Sequence, residues 1–412
     1  MKLRSPVKSR EIALLFFTGT RVRYGAEEHM MTLLRELPRS LFRFHMVCPP
    51  ELAEKIRGDL PADVELIELS LNASRRVKDI LTFAKILKAR RIDVLHSHMS
   101  FSSRFASPIG WACGVPAILE TTHVAENWRR GWLKSSSLPD RVFGRFVDRF
   151  IAVSEANAFY LINRKKIPSK KVVVIRNGCD LKHFKVSFDK RSSMRKRVGL
   201  SEDTPTLIVP ARLESQKGHS VLLDAVPIIR REFPNLQVLC LGEGSLRQAL
   251  EAKVSQLGLE QTVRFLGFQT NMNDWFVIGD LTVLPSFYEG LPLVAIESLA
   301  ASRAVVASAV DGTPEVVVDG ITGKTIPPGH PVALAEVICD LLRQPEMIEK
   351  MGRQGRDLVQ REFNQENQVQ KTADLYCSCL GWPTRCIDPK AESALEAEVC
   401  VSDEQRLEQS RM

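Results

Sequence analysis

The chain has 412 residues, 44% of them hydrophobic and 26% charged, with a formal net charge of +8. Such a composition excludes a disordered or fibrous chain, and the length exceeds one ordinary hydrophobic core, so two domains are expected. No run approaches the roughly 18 apolar residues that a membrane-spanning helix needs.

The elements read in chain order as follows. Met1–Arg10 carries four basic residues, with no long apolar segment or small-residue cleavage site after it, and does not read as a signal peptide. Buried strands are expected at Ile12–Phe17, Phe44–Cys48, Val64–Leu69, Val94–His98, Ala117–Thr121, Phe150–Val153 and Val172–Ile175. Helical patterns such as Ala26–Leu37, Val77–Ala89 and Ser103–Cys113 lie between them. The alternation restarts with Thr206–Pro210, Gln237–Leu241, Val263–Leu266, Leu281–Leu284, Ala304–Ala307 and Gly323–Ile326. Helices are expected near His219–Glu232, Ser245–Gln256, Pro292–Ala301 and Val332–Leu342. Strand–helix alternation of this kind makes parallel sheets covered on both faces, and two series imply two Rossmann-like α/β domains.

The expected division is residues 1–185 for the first domain, 200–363 for the second, a final helix over 364–381 and a disordered polar tail over 383–412. The polar stretch Asp180–Pro205 joins the two domains, and the cleft between them is the default ligand site. The nine cysteines are scattered, and an odd count without a secretory signal fits a reducing cytoplasm. Residues 1–190 hold 34 Lys+Arg against 19 Asp+Glu, whereas the rest of the chain holds 23 against 30. An anionic partner is therefore expected for the first half, unless its surface is simply solvated. Phospholipid or a lipid-phosphate acceptor fits; nucleic acid is not expected, because no basic run is interleaved with aromatics. Arg141, Arg145 and Arg149 recur every four residues among Val142, Phe143, Phe146 and Val147, as on a helix with a basic edge. The loop with Trp128, Arg129, Arg130, Trp132 and Lys134 is the better membrane candidate.

Chemistry concentrates in the second half. Glu289-Gly290-Leu291-Pro292-Leu293-Val294-Ala295-Ile296-Glu297 places two carboxylates eight residues apart, across a turn that opens an apolar helix. The pair can address two ends of an elongated ligand such as a nucleotide sugar, with the helix N-terminus between them; a surface Glu at each end of an amphipathic helix is the alternative. Arg212-Leu213-Glu214-Ser215-Gln216-Lys217-Gly218-His219 follows the strand Thr206–Pro210. Its Arg212 and Lys217 offer a planar fork beside a point charge, which suits a diphosphate.

An R-L-x-x-x-K-G loop followed by E-G-L-P-L-x-x-x-E resembles the retaining glycosyltransferases of family 4, which have the GT-B fold. Leu241-Gly242-Glu243-Gly244-Ser245, Val263-Arg264-Phe265-Leu266-Gly267, Ile151-Ala152-Val153-Ser154-Glu155 and Asn177-Gly178-Cys179-Asp180 resemble further motifs of that family. The resemblance runs from about residue 11 to about residue 380. It implies two Rossmann-like domains facing across a cleft, with the C-terminal helix crossing back to the first.

The resemblance also implies roles. Glu297 would bind the donor's ribose and Glu289 the transferred sugar, with Gly290, Leu291, Pro292 and Leu293 nearby. Arg212 and Lys217 would neutralise the leaving diphosphate, Gly242 would lie in a strand-end donor loop, and Gly267 would face the base. In the first domain Gly25, in Tyr24-Gly25-Ala26-Glu27, is a phosphate-approach point where the family has two glycines. His123 would lie beside the anomeric carbon. Asp311-Gly312 stands where the family usually has Gly-Gly, which leaves donor identity open, and Glu315 is expected to cap or orient the segment after it. No D-x-D motif is present, so neither a metal nor a cofactor is expected. The implied activity moves a sugar from a nucleotide-sugar donor to an acceptor hydroxyl with retention. The acceptor would be a glycan or lipid-linked sugar, met by a cytoplasmic enzyme peripheral at the inner face of a membrane. A silent relative serving as a partner subunit and a nucleotide-sugar epimerase of the same fold remain the alternatives.

Overall fold

The computed structural model describes residues 11–23, 25–69, 76–123, 138–184 and 188–382. Two sheets form. The first joins seven strands, β1 (Ile12–Phe17), β2 (Phe42–Cys48), β3 (Glu65–Glu68), β4 (Val94–His98), β5 (Ala117–Thr122), β6 (Arg149–Ala152) and β7 (Val172–Val174), in the order β3-β2-β1-β4-β5-β6-β7. Within it β1 pairs in parallel with β2 and β4, β2 with β3, and β6 with β7. The second joins β8 (Thr206–Pro210), β9 (Gln237–Leu241), β10 (Val263–Phe265), β11 (Leu281–Leu284), β12 (Val305–Ser308) and β13 (Gly323–Ile326), in the order β10-β9-β8-β11-β12-β13. All its pairings are parallel.

The central strands β1 and β8 form where the sequence is mostly apolar, because both of their faces are covered. All six residues of β1 and all five of β8 are buried. Parallel strands need crossovers, and helices such as Gly25–Glu36, Arg76–Ala89, His219–Arg230 and Pro331–Leu342 supply them.

The chain divides into two compact units, one holding residues up to Glu120, Arg145–Asp148 and the chain from Val369, the other Thr121–Gly144 and Arg149–Gln368. The first unit packs Leu15, Phe17, Phe83, Leu95 and Ile118 into one core. The last helix, Gln365–Cys379, packs Tyr376 against other residues of this unit: the Tyr376 hydroxyl lies 2.6 Å from His96 Nδ1, and its ring meets Phe42 edge-on at 5.8 Å. The second unit holds a larger core that includes Val209, Leu222, Val238, Val283 and Val306.

Some expectations require correction. The arginine helix does not form: a helix covers Leu138–Phe143, a 3-10 turn follows over Gly144–Phe146, and Arg149 opens β6. Gly144, a poor helix former, stands where the helix gives way, and a Cβ there would crowd the side-chain ends of Ile167 at 2.9 Å and Phe150 at 3.2 Å. The joining stretch Asp180–Pro205 contains the helix Phe188–Arg197. That helix is held by Arg195, fully buried, whose guanidinium donates to the carbonyls of Ser201, Thr204 and Ile278. The tryptophan–arginine loop, Tyr24 and the polar tail lie outside the described residues. The seven described cysteines are all free thiols. Among the described residues no helix is long and apolar enough to cross a membrane.

Candidate active site

In the second sheet the strand order reverses between β8 and β11, with β9 and β10 on one side and β12 and β13 on the other. Chain segments leaving the carboxyl ends of two such neighbours diverge, and the crevice between them is where parallel sheets bind ligands. The loops after β8 and β11 carry Arg212–Lys217 and Ser286–Leu293, the two segments singled out by their residue types.

The structure brings them together. Lys217 Nζ donates to Glu289 Oε1 at 2.6 Å, and Ser286 Oγ donates to the same oxygen at 2.7 Å. The pair is mostly buried, with 19% and 9% of the two side chains exposed. Backbone contacts fix the loops against each other: Phe287 N donates to Gln216 O at 2.8 Å and Gln216 Nε2 to Tyr288 O at 2.9 Å. Gly218 is required at the joint. It has φ +68°, and a Cβ there would lie 1.9 Å from Pro285 O.

Arg212 donates to Gln216 Oε1 at 3.2 Å. Burial pushes the Tyr288 phenol up; the Arg212 charge opposes that shift and Glu289 adds to it, so both charges surround Tyr288. The loop after β9 closes on the same place, with Leu213 N donating to Glu243 O at 3.0 Å. Gly242 and Gly267 form a bridge in which Gly242 N donates to Gly267 O at 2.8 Å. Leu291 and Pro292 are buried, and Pro292 precedes the helix Leu293–Ala300, in which Glu297 is the fifth residue. Glu297 lies beside Cys179, whose thiol is raised first by burial and then by the Glu297 charge.

The loop after β12 completes the arrangement. Asp311 Oδ2 accepts the Glu289 N–H at 2.9 Å, and Gly312 N donates to Gly290 O at 3.1 Å. Glu315 corrects an expectation. It does not serve the segment after it but accepts from Glu155 N at 3.1 Å and Ala156 N at 3.0 Å, capping the helix Glu155–Phe159, and it pairs with Arg176 at 3.2 Å. Ser154, the N-cap of that helix, donates to Gly290 O at 3.3 Å. No spacing rule exposes these contacts, because their partners lie more than a hundred residues away.

The remaining expected residues lie at strand ends of the first sheet. Gly25 is exposed at the start of its helix. The loop before it is organised by a carboxylate, Glu27, which accepts from Thr20 Oγ1 at 2.5 Å. His123 follows β5 directly and is buried.

Two family descriptions match the chain: "Glycosyl transferases group 1" over residues 190–358 and "Glycosyltransferase Family 4" over residues 24–183. D-inositol 3-phosphate glycosyltransferase of Streptomyces scabiei is 30% identical over 312 residues, covering 70% of this chain and 68% of that protein. The chain belongs to the family 4 glycosyltransferases.

Solved structures place this glycosyltransferase in the GT-B fold. Anabaena HepE in complex with UDP-glucose matches with a TM-score of 0.78 at 18% identity, over 89% of this chain and 100% of that one. WaaG, a glycosyltransferase involved in lipopolysaccharide biosynthesis, matches with a TM-score of 0.72 at 17% identity, over 88% and 99%.

Proposed function

We propose that this glycosyltransferase takes a sugar from a nucleotide-sugar donor and transfers it to an acceptor hydroxyl with retention of configuration, without a metal. The observation that carries the reading is the Lys217–Glu289 pair at the reversal point of the second sheet. An ammonium has three N–H donors; Glu289 takes one, which leaves two for the oxygens of a diphosphate. Glu289 Oε1 is bonded by Lys217 and Ser286, and among the described residues no donor reaches Oε2. That oxygen suits a sugar hydroxyl. Arg212 adds a second cation for the leaving group, and Glu297 serves the ribose.

In this reading the bond from the anomeric carbon to the diphosphate breaks, and its electrons go to the phosphate oxygen. Arg212 and Lys217 stabilise that growing charge, often the largest catalytic contribution. The acceptor oxygen attacks the same face, and its proton passes to the departing phosphate. HepE, solved with UDP-glucose, supports a donor of this class.

For the acceptor we favour a glycan or lipid-linked sugar at an anionic membrane surface. The helix Arg76–Ala89 leaves Val77, Ile80 and Leu81 exposed, beside the exposed Lys78, Lys85 and Lys88. Apolar side chains rimmed by lysines suit an anionic lipid interface.

The test is product stereochemistry. With a donor that the enzyme turns over, the anomeric proton coupling of the product, read by NMR, should match that of the donor. An inverted product would overturn the reading.

A further inference from the structure

We propose that Gln216 is a positioning residue that ties Arg212 to the peptide carrying Glu289, so that one side chain aligns the cation for the leaving group with the acid for the sugar. The inference rests on the roles proposed above for Arg212 and Glu289. Gln216 lies in the 3-10 turn Ser215–Lys217, in the loop after β8, and is half-buried. Its amide is used at both ends. Oε1 accepts from the Arg212 guanidinium at 3.2 Å, and Nε2 donates to Tyr288 O at 2.9 Å. One orientation of the amide serves both contacts, because a guanidinium only donates and a carbonyl only accepts.

The Tyr288 carbonyl and the Glu289 N–H belong to the same peptide. That N–H donates to Asp311 Oδ2 at 2.9 Å, so the peptide is held from both sides. The neighbouring Lys217 meets the Glu289 carboxylate itself at 2.6 Å. Consecutive residues of one turn thus hold the backbone and the side chain of Glu289, and Gln216 reaches Arg212 as well. An arginine side chain has many rotamers. An acceptor that orders it beforehand places its charge where negative charge develops, without reorganisation during the reaction.

The role can be separated from the structural joint. The Gln216 backbone carbonyl accepts from Phe287 N at 2.8 Å, and neither this bond nor the Lys217–Glu289 pair involves the Gln216 side chain. Substitution of Gln216 leaves both contacts in place and removes the tie to Arg212.

The experiment uses the full chain, the variants Gln216→Met, Gln216→Glu and Arg212→Ala, and the double variant Arg212→Ala/Gln216→Met. Release of nucleoside diphosphate is measured with the nucleotide sugar that the wild type turns over fastest, and unfolding is followed in parallel. Gln216→Met should lower kcat by about tenfold and change KM by less than about threefold. Gln216→Glu, which keeps an acceptor for Arg212, should retain more of that rate. In the Arg212→Ala background the same Gln216→Met change should lower kcat by less than about threefold, because the group through which it acts is gone. The outcomes are also read in Gln216→Ala, too short to reach Arg212, so that a failure of Gln216→Met to fold leaves the test intact. An unchanged kcat in Gln216→Met or Gln216→Ala, or an equal loss with and without Arg212, would overturn the inference alone. A silent wild type, or full turnover in Arg212→Ala, would overturn the reading on which it rests and the inference with it.

Discussion

Lys217 Nζ and Glu289 Oε1 lie 2.6 Å apart although 72 positions separate the two residues in sequence. Each belongs to a loop leaving one of two adjacent strands, β8 and β11, and Gly218 lets those loops touch. The pair is at once a structural joint and the chemical centre of the candidate site.

The joint should register in stability. Lys217→Met or Glu289→Gln alone leaves a mostly buried partner uncompensated, and each should cost roughly 1–3 kcal/mol because the pair keeps some exposure. The double variant should recover part of that loss, giving a coupling of about 1 kcal/mol or more in urea unfolding. Additive losses would mean that the contact contributes nothing.

Gly218→Ala forces a Cβ into Pro285 O and strains a left-handed residue. Unfolding should show a loss of about 1 kcal/mol or more. Lys217 would also move, and misplacement by about 1 Å can cost on the order of a hundredfold in rate. A variant with wild-type stability and turnover would show that the loop contact is dispensable.

Glu315→Ala removes the acceptor for Glu155 N and Ala156 N and a partner of Arg176. Loss of a helix cap costs about 0.5–2 kcal/mol. Glu315→Gln, which retains one acceptor oxygen, should lie between the alanine variant and the wild type in thermal unfolding.

Acid should weaken the fold through buried histidines. Burial lowers His29 and His219 to about 4, from the ordinary histidine value of 6.5. Between these values the unfolded chain binds protons that the folded chain refuses, so stability falls as pH drops from 6.5 toward 4. Urea unfolding at pH 7.5, 5.5 and 4.5 measures the slope. His219→Leu should flatten it; an identical slope in that variant would show that His219 is not a source.

Much of this molecule is legible in its sequence where one physical rule dominates. Six strands, including Ile12–Phe17, Thr206–Pro210 and Leu281–Leu284, begin and end at the expected residues, because strands covered on both faces are rich in apolar residues. Arg212, Lys217 and Glu289 were recognisable because strand-end loops of a parallel sheet carry ligands, and charged residues beside glycines stand out there. What stayed hidden depends on tertiary approach. Arg141, Arg145 and Arg149 share a helical spacing, yet the poor helix former Gly144 lies between them, and the helix gives way to a turn and a strand. Glu315 reaches back to Glu155, and Tyr376 reaches His96 across 280 positions. The clamp on Glu289 by Asp311 likewise emerges only once β11 and β12 lie side by side.

The measurement that tests the central claim most directly is metal-free turnover. The full chain, treated with chelator, is incubated with a panel of UDP-, GDP-, ADP- and dTDP-sugars, and release of nucleoside diphosphate is followed for the wild type, Lys217→Ala and Glu289→Gln. The account predicts that one donor class is turned over by the wild type, and that each substitution lowers the rate by about a hundredfold or more. Silence of the wild type across the panel, or turnover indifferent to both substitutions, would contradict it.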